Sequence, residues 1–403
     1  MKIVLYLHMH QPWRLARFRY LDLGSGRPYF DTARNLEIFR SISEKSYRPT
    51  LARLARMLEE DPDFCLSLSV TGTFVEQAQQ AAPDVLVALQ RLFATRRVAA
   101  VAETYPHTLA FLLPPPELEE EIAMHAQMLD TTFGMKAQVL RLTELAYSDE
   151  LALFAEQHGF RGILAEGWDR VLGGRSPNRV YKAAGTNALP VLPRNYRLSD
   201  DIGFRFTDRA WSEYPLTARK FVNWIAQSPG EVAGLFMDFE TFGEHHAAST
   251  GIIDFLGELP HEVRRHPHLG WATVEEAATM MDTRELFSSP ELLTWADQSR
   301  DLGAWLGNDL QRSAFEAAKK VGRLARVVGD PDVMATWRRL LTSDHFYYMF
   351  MGAEGADGRV HQHFSSYGSP FDAYANYMNS LTDLRQRLDR HLNVPAPAAA
   401  EET

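Results

Sequence analysis

A chain of 403 residues with 45% hydrophobic content is long enough for one large domain with an appendage, or for two domains. A net charge of −10, with no basic run, excludes a surface built to follow a phosphate backbone or an anionic membrane. A lone cysteine, Cys65, excludes an intramolecular disulfide and any Cys-based zinc or redox motif; it reads as a small core residue.

The chain enters an apolar run at once. Ile3-Val-Leu-Tyr-Leu7 is too short for the core of a signal peptide. No later stretch approaches the roughly 20 apolar residues of a spanning helix. The expectation is a soluble cytoplasmic protein that does not engage a membrane. Short β-prone runs then recur, predicting strands over Lys2–Leu7, Phe64–Val70, Val98–Ala102, Gln138–Thr143, Gly162–Ala165, Leu189–Leu192, Gly234–Met237 and Leu269–Ala272. Between them lie helical patterns. Leu51, Leu54 and Leu58 fall at helical spacing, as do Val85, Leu86, Leu89, Leu92 and Phe93 behind Pro83, and the pattern over Asp149–His158 stops at Gly159. Strand–helix alternation argues for an α/β fold with a parallel sheet, closed or nearly closed into a barrel.

After about Arg284 the strand pattern ends. Trp295, Leu302, Trp305, Leu306 and Leu310 fall on one helical stripe, and Tyr377, Leu381, Leu384 and Leu388 on another. The expected organisation is a catalytic barrel over 1–285, a helical bundle over 286–392 and a low-complexity, disordered tail over 393–403.

The strand ends are unusually polar. The first leads to His8 and His10, which alternation places on one face. Later ends lead to Glu103 and then His107, to Glu144, to Glu166 with Trp168 and Asp169, and to Asp238; the last strand carries Trp271. In a (β/α) barrel such ends converge on one mouth. Two carboxylates far apart in sequence, Glu144 and Asp238, are what acid/base or nucleophilic chemistry on a sugar requires. Each residue also has a plainer reading. The histidines could be satisfied core residues, Glu144 an ion-pair partner of Arg141, and Asp238 an N-cap; Glu240 competes for the role of Asp238. Trp13, Trp168, Trp211 and Trp271 suit sugar stacking or core packing equally. His261, His266 and His268 have no ligand spacing, and phosphate-loop, dinucleotide and nucleophile-elbow motifs are absent.

Taken in order, these blocks resemble glycoside hydrolase family 57, the α-amylase-like family that acts on α-glucans. They are His10-Gln11-Pro12, Ala102-Glu103-Thr104-Tyr105-Pro106-His107, Arg141-Leu142-Thr143-Glu144-Leu145-Ala146-Tyr147 and Asp238-Phe239-Glu240-Thr241-Phe242-Gly243-Glu244-His245. Two more follow, Trp295-Ala296-Asp297 with Asp301–Asn308, and Ser343–Tyr348. The resemblance, strongest to the α-amylase-type branch, implies an incomplete (β/α)7 TIM-like barrel whose site is completed by the helical domain. It implies a retaining mechanism with Glu144 as nucleophile and Asp238 as general acid/base, with no cofactor and no metal. Sugar contacts are expected from His8, His10, Glu103, His107, Arg141, Trp168, His245, Trp271, Trp305 and Asp344. The implied partner is an α-1,4-glucan or maltooligosaccharide. A 4-α-glucanotransferase or branching enzyme would use the same site. One departure stands out: the branch usually has Asn two residues before the nucleophile, where this chain has Leu142. That departure leaves open a glucan-binding protein with weak or no catalysis.

Overall fold

The computed structural model describes residues 1–352, 365 and 367–393, so the tail expected over 393–403 lies, but for Asn393, outside the described residues. The chain forms two compact units: Met1–Gln11 with Ala33–Leu302, and Pro12–Thr32 with Gly303–Thr403. The division differs from the boundary expected after residue 285. Residues 286–302 belong to the first unit, and a segment near the N-terminus joins the second.

The first unit is mixed α/β. Its strands are β1 (Lys2–Met9), β2 (Leu66–Val70), β3 (Val98–Ala100), β4 (Val139–Leu140), β5 (Gly162–Glu166), β6 (Tyr181–Ala183), β7 (Pro190–Arg194), β8 (Val232–Asp238), β9 (Phe242–Gly243), β10 (His246–Ala247), β11 (Gly270–Trp271) and β12 (Asp282–Phe287). β1 pairs in parallel with β2 and β8, β2 with β3, β4 with β5, β5 with β7 and β7 with β8. A parallel bridge between Ala102 and Leu140 links the chain after β3 to β4. Followed from strand to strand, the pairing returns to β1. β6 and β12, which the apolar pattern did not indicate, extend the sheet beside β7, with β6 antiparallel to it.

Alternation sorts the side chains. Ile3, Leu5 and Leu7 of β1, with Ala233, Leu235 and Met237 of β8, pack into the cluster shared with the helices. Val4, Tyr6, Val139, Leu164, Leu192, Val232 and Phe236 form a separate cluster on the opposite face. The ring of Tyr6 meets that of Phe236 edge-on at 5.5 Å. Toward the C-terminal ends that second face changes character, because each row continues into a polar residue: His8, Ser69, Arg141, Glu166, Arg194 and Asp238. Apolar residues close the bottom of this layer and charged ones fill the top.

The join between β7 and β8 depends on a missing side chain. A Cβ on Gly234 would lie 2.6 Å from the carbonyl oxygen of Pro193. Glycine lets the strands approach, so that the carbonyl of Gly234 accepts the N–H of Asn195 at 2.8 Å.

Among the described residues, the second unit contains helices Gly303–Leu306, Asp309–Val328, Pro331–Leu340, Ser343–Tyr347 and Pro370–Asn393, together with the 12–32 segment. Tyr29 donates its hydroxyl to Asp383 Oδ2 at 2.6 Å, and Phe18 N donates to Asn376 Oδ1 at 2.6 Å. Trp337 donates to the carbonyl of Ala318 at 2.8 Å, over the bare face of Gly322. The helical stripe expected from Trp295 to Leu310 is broken: Trp295 and Leu302 lie outside any helix. Among the described residues no helix is long and apolar enough to cross a membrane.

Gly234→Ala is expected to destabilise the protein by about 1–3 kcal/mol, because the added methyl group must force β7 from β8. The urea midpoint against wild type reads this directly. An unchanged midpoint would show that the strand spacing is not set by the glycine.

Candidate active site

The polar layer forms at the strand ends. His8 and Asp238 are direct partners in the β1–β8 register. Glu103 follows β3 and Arg141 follows β4; both are fully buried. His8 Nδ1 lies 2.8 Å from Ser69 Oγ and 3.4 Å from Glu103 Oε1. His107 Nδ1 lies 3.2 Å from the other Glu103 oxygen, and His107 Nε2 lies 3.3 Å from Glu144 Oε1. One imidazole therefore bridges two carboxylates. His10 stacks on His107 with ring centroids 4.2 Å apart and shares a hydrogen bond with Thr71 at 3.0 Å.

The carboxylates sit in opposite surroundings. Burial alone would raise Glu144, but hydrogen bonding from His107, the nearby charges and an indole bond hold it ionised, down to about 2. That indole is Trp295, whose Nε1 donates to Glu144 Oε2 at 2.9 Å. Burial raises Asp238 to about 6, with the Glu144 charge adding to the rise and Arg141 opposing it. Asp238 makes no capping bond to the turn that follows, so the N-cap reading fails. Burial would also discharge His107, but Glu103 and Glu144 raise it to about 9, which keeps it cationic. Burial and Arg141 hold His8 neutral, down to about 3. Its buried Nε2 makes no hydrogen bond. Burial likewise opposes the charge on Glu103, yet His8, His107 and Arg141 keep that carboxyl well below its usual range.

The backbone bends to deliver these groups. Glu144 (φ 59°), Leu145 (φ 55°) and His107 (φ 60°) adopt left-handed conformations despite their side chains. Such conformations cost of order 1–3 kcal/mol each and persist where surrounding contacts fix them. Here a hydrogen bond of 2.7 Å between the hydroxyls of Thr104 and Thr143 ties the two turns together.

Other expected residues fall elsewhere. Arg141 contacts Glu103 Oε2 at 3.8 Å and places its guanidinium 4.9 Å from the Trp295 ring centroid, so Glu144 is not its ion-pair partner. Glu240 is buried behind the site, accepting hydrogen bonds from Tyr47 and Gln11; burial and then Asp238 push it up to about 8. Trp271 pairs in register with Ile3, at the start of β1, and packs edge-on against Phe64 at 4.9 Å. It is a core residue at the wrong end of the strand to meet His8. Trp168 precedes the helix Asp169–Leu172 and stacks with Arg170, and His245 N donates to the carbonyl of Glu240 at 2.9 Å. Trp305 and Asp344 belong to the second unit. Trp305 is buried there with its ring 6.1 Å from that of Tyr347, and Asp344 lies in the first turn of Ser343–Tyr347. Leu142 is fully buried in a cluster with Leu140, Tyr147 and Ile163, on the face away from the carboxylates. The sequence reading missed the Trp295–Glu144 bond by assigning Trp295 to a helix, although the Trp-Ala-Asp block marked it.

Among the described residues, His8, Glu103 and His107 alone have ligand atoms grouped closely enough for a metal ion. The three already satisfy one another, and Arg141 supplies positive charge to the same carboxylate, which disfavours a divalent cation there.

The sequence pattern of Glycosyl hydrolase family 57 matches residues 4–290. A Methanocaldococcus jannaschii protein named "Putative alpha-amylase" is 41% identical over 95% of this chain and 84% of its own length. In fold, the chain is similar to a branching enzyme of Thermococcus kodakaraensis, with a TM-score of 0.70 and 14% identity over 98% of this chain and 92% of the other. It is also similar to 4-alpha-glucanotransferase of Thermococcus litoralis, with a TM-score of 0.66 and 16% identity over 86% and 56%.

Replacing His107 by Gln is expected to raise the Glu144 carboxyl from about 2 by on the order of one unit, since the cation that favours the ionised form is lost. Carboxyl 13C titration of labelled glutamate, with Glu144→Gln to identify the resonance, reads the shift. A resonance that titrates as in wild type would show that His107 does not hold the charge.

Proposed function

The chain belongs to glycosyl hydrolase family 57, and from that premise we propose that it cleaves α-1,4-glucans with retention of configuration, through Glu144 and Asp238. The observation that carries this reading is the opposed environment of the two carboxyls. Glu144 is held as an anion by donors from two directions, and Asp238 beside it is biased toward the acid form. Environments that drive two carboxyls apart in this way separate a nucleophile from a general acid.

In the first step the Glu144 carboxylate attacks the anomeric carbon while Asp238 gives its proton to the departing glycosidic oxygen. A glycosyl ester on Glu144 results and the shortened glucan leaves. In the second step Asp238, now a carboxylate, takes a proton from the incoming hydroxyl, which attacks the anomeric carbon and frees Glu144. Water as acceptor gives hydrolysis; a sugar hydroxyl gives transfer. His107 keeps Glu144 ionised without competing for the anomeric carbon. The unpartnered Nε2 of His8 and the buried Nε and Nη2 of Arg141, also without hydrogen bonds, are available to sugar hydroxyls. His10, with its stacked ring, completes this wall.

In this reading the closed strand pairing of the first unit is the incomplete (β/α)7 barrel. Trp168 and His245 contribute at the rim of its mouth. The enzyme acts in the cytoplasm without cofactor or metal. The alternative of a glucan binder with weak or no turnover rests on Leu142, whose side chain packs with Leu140, Tyr147 and Ile163.

Incubation with maltoheptaose is expected to yield shorter maltooligosaccharides if water is the acceptor, or a ladder extending above the input if sugar is. Glu144→Gln should yield neither, with a loss of at least about 10³-fold. Intact maltoheptaose with the wild type would sink the α-1,4-glucan reading. Proton NMR of the nascent product should show the α-anomer first, and the β-anomer first would exclude a double displacement.

The pH dependence has a definite sign. Asp238 must be protonated for the first step, so kcat/KM should fall as pH rises through about 6. Asp238→Asn should remove that limb along with most of the activity. A rate still rising above pH 7 would assign the acid elsewhere.

A further inference from the structure

We propose that Arg300, held by the buried carboxylate of Glu166, is a positioning residue that sets the Trp295 indole on Glu144. The inference rests on the reading of Glu144 as nucleophile for its catalytic meaning, but the contact itself is independent of turnover.

Trp295 lies on a loop with no regular secondary structure, yet its indole donates a hydrogen bond to Glu144 Oε2 at 2.9 Å. The loop is pinned at its start, where Leu293 and Tyr147 exchange backbone hydrogen bonds of 2.8 and 2.9 Å. The N–H of Trp295 then donates to the carbonyl of Glu144 at 3.2 Å. Beyond Trp295 the loop turns back through Asp297 (φ 55°) and Arg300 (φ 53°), two left-handed residues that carry side chains. Thr294 N closes the turn on the carbonyl of Arg300 at 2.8 Å. Thr294 Oγ1 also donates to the carbonyl of Asp301 at 2.7 Å, and left-handed residues with side chains persist where surrounding contacts fix them.

Arg300 supplies one such contact. Its Nη1 donates to the carbonyl of Trp295 and lies 3.2 Å from Glu166 Oε2. Its Nη2 is 4.0 Å from Asp200 Oδ2. Arg194 approaches the same two acids from the other side, with Nη1 3.1 Å from Glu166 Oε2. Arg194 Nε donates to the carbonyl of Phe236, two residues before Asp238, at 2.9 Å. Two guanidiniums and two acids thus form a knot with almost no exposure at Glu166 and Arg194; burial pushes the Glu166 carboxyl up to about 7, and Arg194 and then Arg300 oppose that rise. The planar guanidinium fixes the angle between its donors, so Nη1 serves the carbonyl and Glu166 while Nη2 faces Asp200; a lysine ammonium has three donors but no fixed plane and cannot span both acids in the same way. Glu166, expected from sequence at the mouth, acts in this reading through Trp295 rather than by touching sugar.

The test is the indole 15N–1H spectrum of the full-length protein, which has 8 tryptophans. The Trp295 signal is the one lost in Trp295→Phe, and it should move in Glu144→Gln. In Arg300→Met it should move toward the Glu144→Gln position, while Arg194 still pairs with Glu166 and preserves the fold. Arg300→Lys, which keeps the charge but not the fork, should give an intermediate shift and serves if the methionine variant does not fold. A Trp295 signal unmoved by either substitution overturns the proposal, whether or not the enzyme turns over maltoheptaose. With turnover, Arg300→Met should lower kcat roughly tenfold with little change in KM. Combined with Trp295→Phe, it should cost no more than Trp295→Phe alone. Losses that multiply would show that Arg300 acts by another route.

Discussion

The site depends on a buried layer of opposed charges at the strand ends. Around the strand pairing, Glu103, Arg141, Glu166 and Arg194 alternate in sign, with His8 neutral on one side and Asp238 on the other. No member could be buried alone, because an isolated ion in such surroundings would lose several kcal/mol of hydration. Each is kept by its neighbours, so the layer holds as a set or not at all. His107 extends it by one cation, and that cation carries the charge pattern to Glu144.

Two kinds of backbone serve this layer. The strands fix the direction of His8, Arg194 and Asp238 by alternation. The turns that carry His107 and Glu144 leave the strand geometry and adopt left-handed conformations, which the sheet could not supply. Rigid strands therefore set the electrostatics, and strained turns bring the reacting carboxylate to it. The join at Gly234 belongs to the same design, since close approach of β7 to β8 seats Arg194 against the backbone that leads to Asp238.

Much of this was legible in the sequence because its physical cause is local. Alternating apolar residues announced most strands, and acids or imidazoles after them announced the site. Where effects depend on register, the sequence misled. Trp271 follows an apolar run as Asp238 does, but β11 pairs with the start of β1, and nothing in composition distinguishes the two ends of a strand. Trp295 fell on a helical stripe by spacing, although Arg300 in its own loop reaches Glu166, which is distant in sequence. Leu142 drew attention as a departure beside the nucleophile. Extended backbone continuing past β4 turns it to the face of Leu140. β6 and β12 escaped because β6 is held by pairing with β7 and β12 by pairing with β6, rather than by a run of apolar residues.

The second unit is assembled from two pieces of chain separated by residues 33–302 of the first. Tyr29 finds Asp383, and Phe18 finds Asn376, across more than 350 residues. During synthesis the 12–32 segment, with Tyr20 and Leu21 among the most exposed large apolar residues even in the finished fold, emerges early. At ribosomal speed its partners follow only after tens of seconds. Strand β1 must meanwhile be claimed by β2 and then β8. The order of translation thus leaves one unit waiting on the helix Pro370–Asn393, and loss of that helix would strand the 12–32 segment.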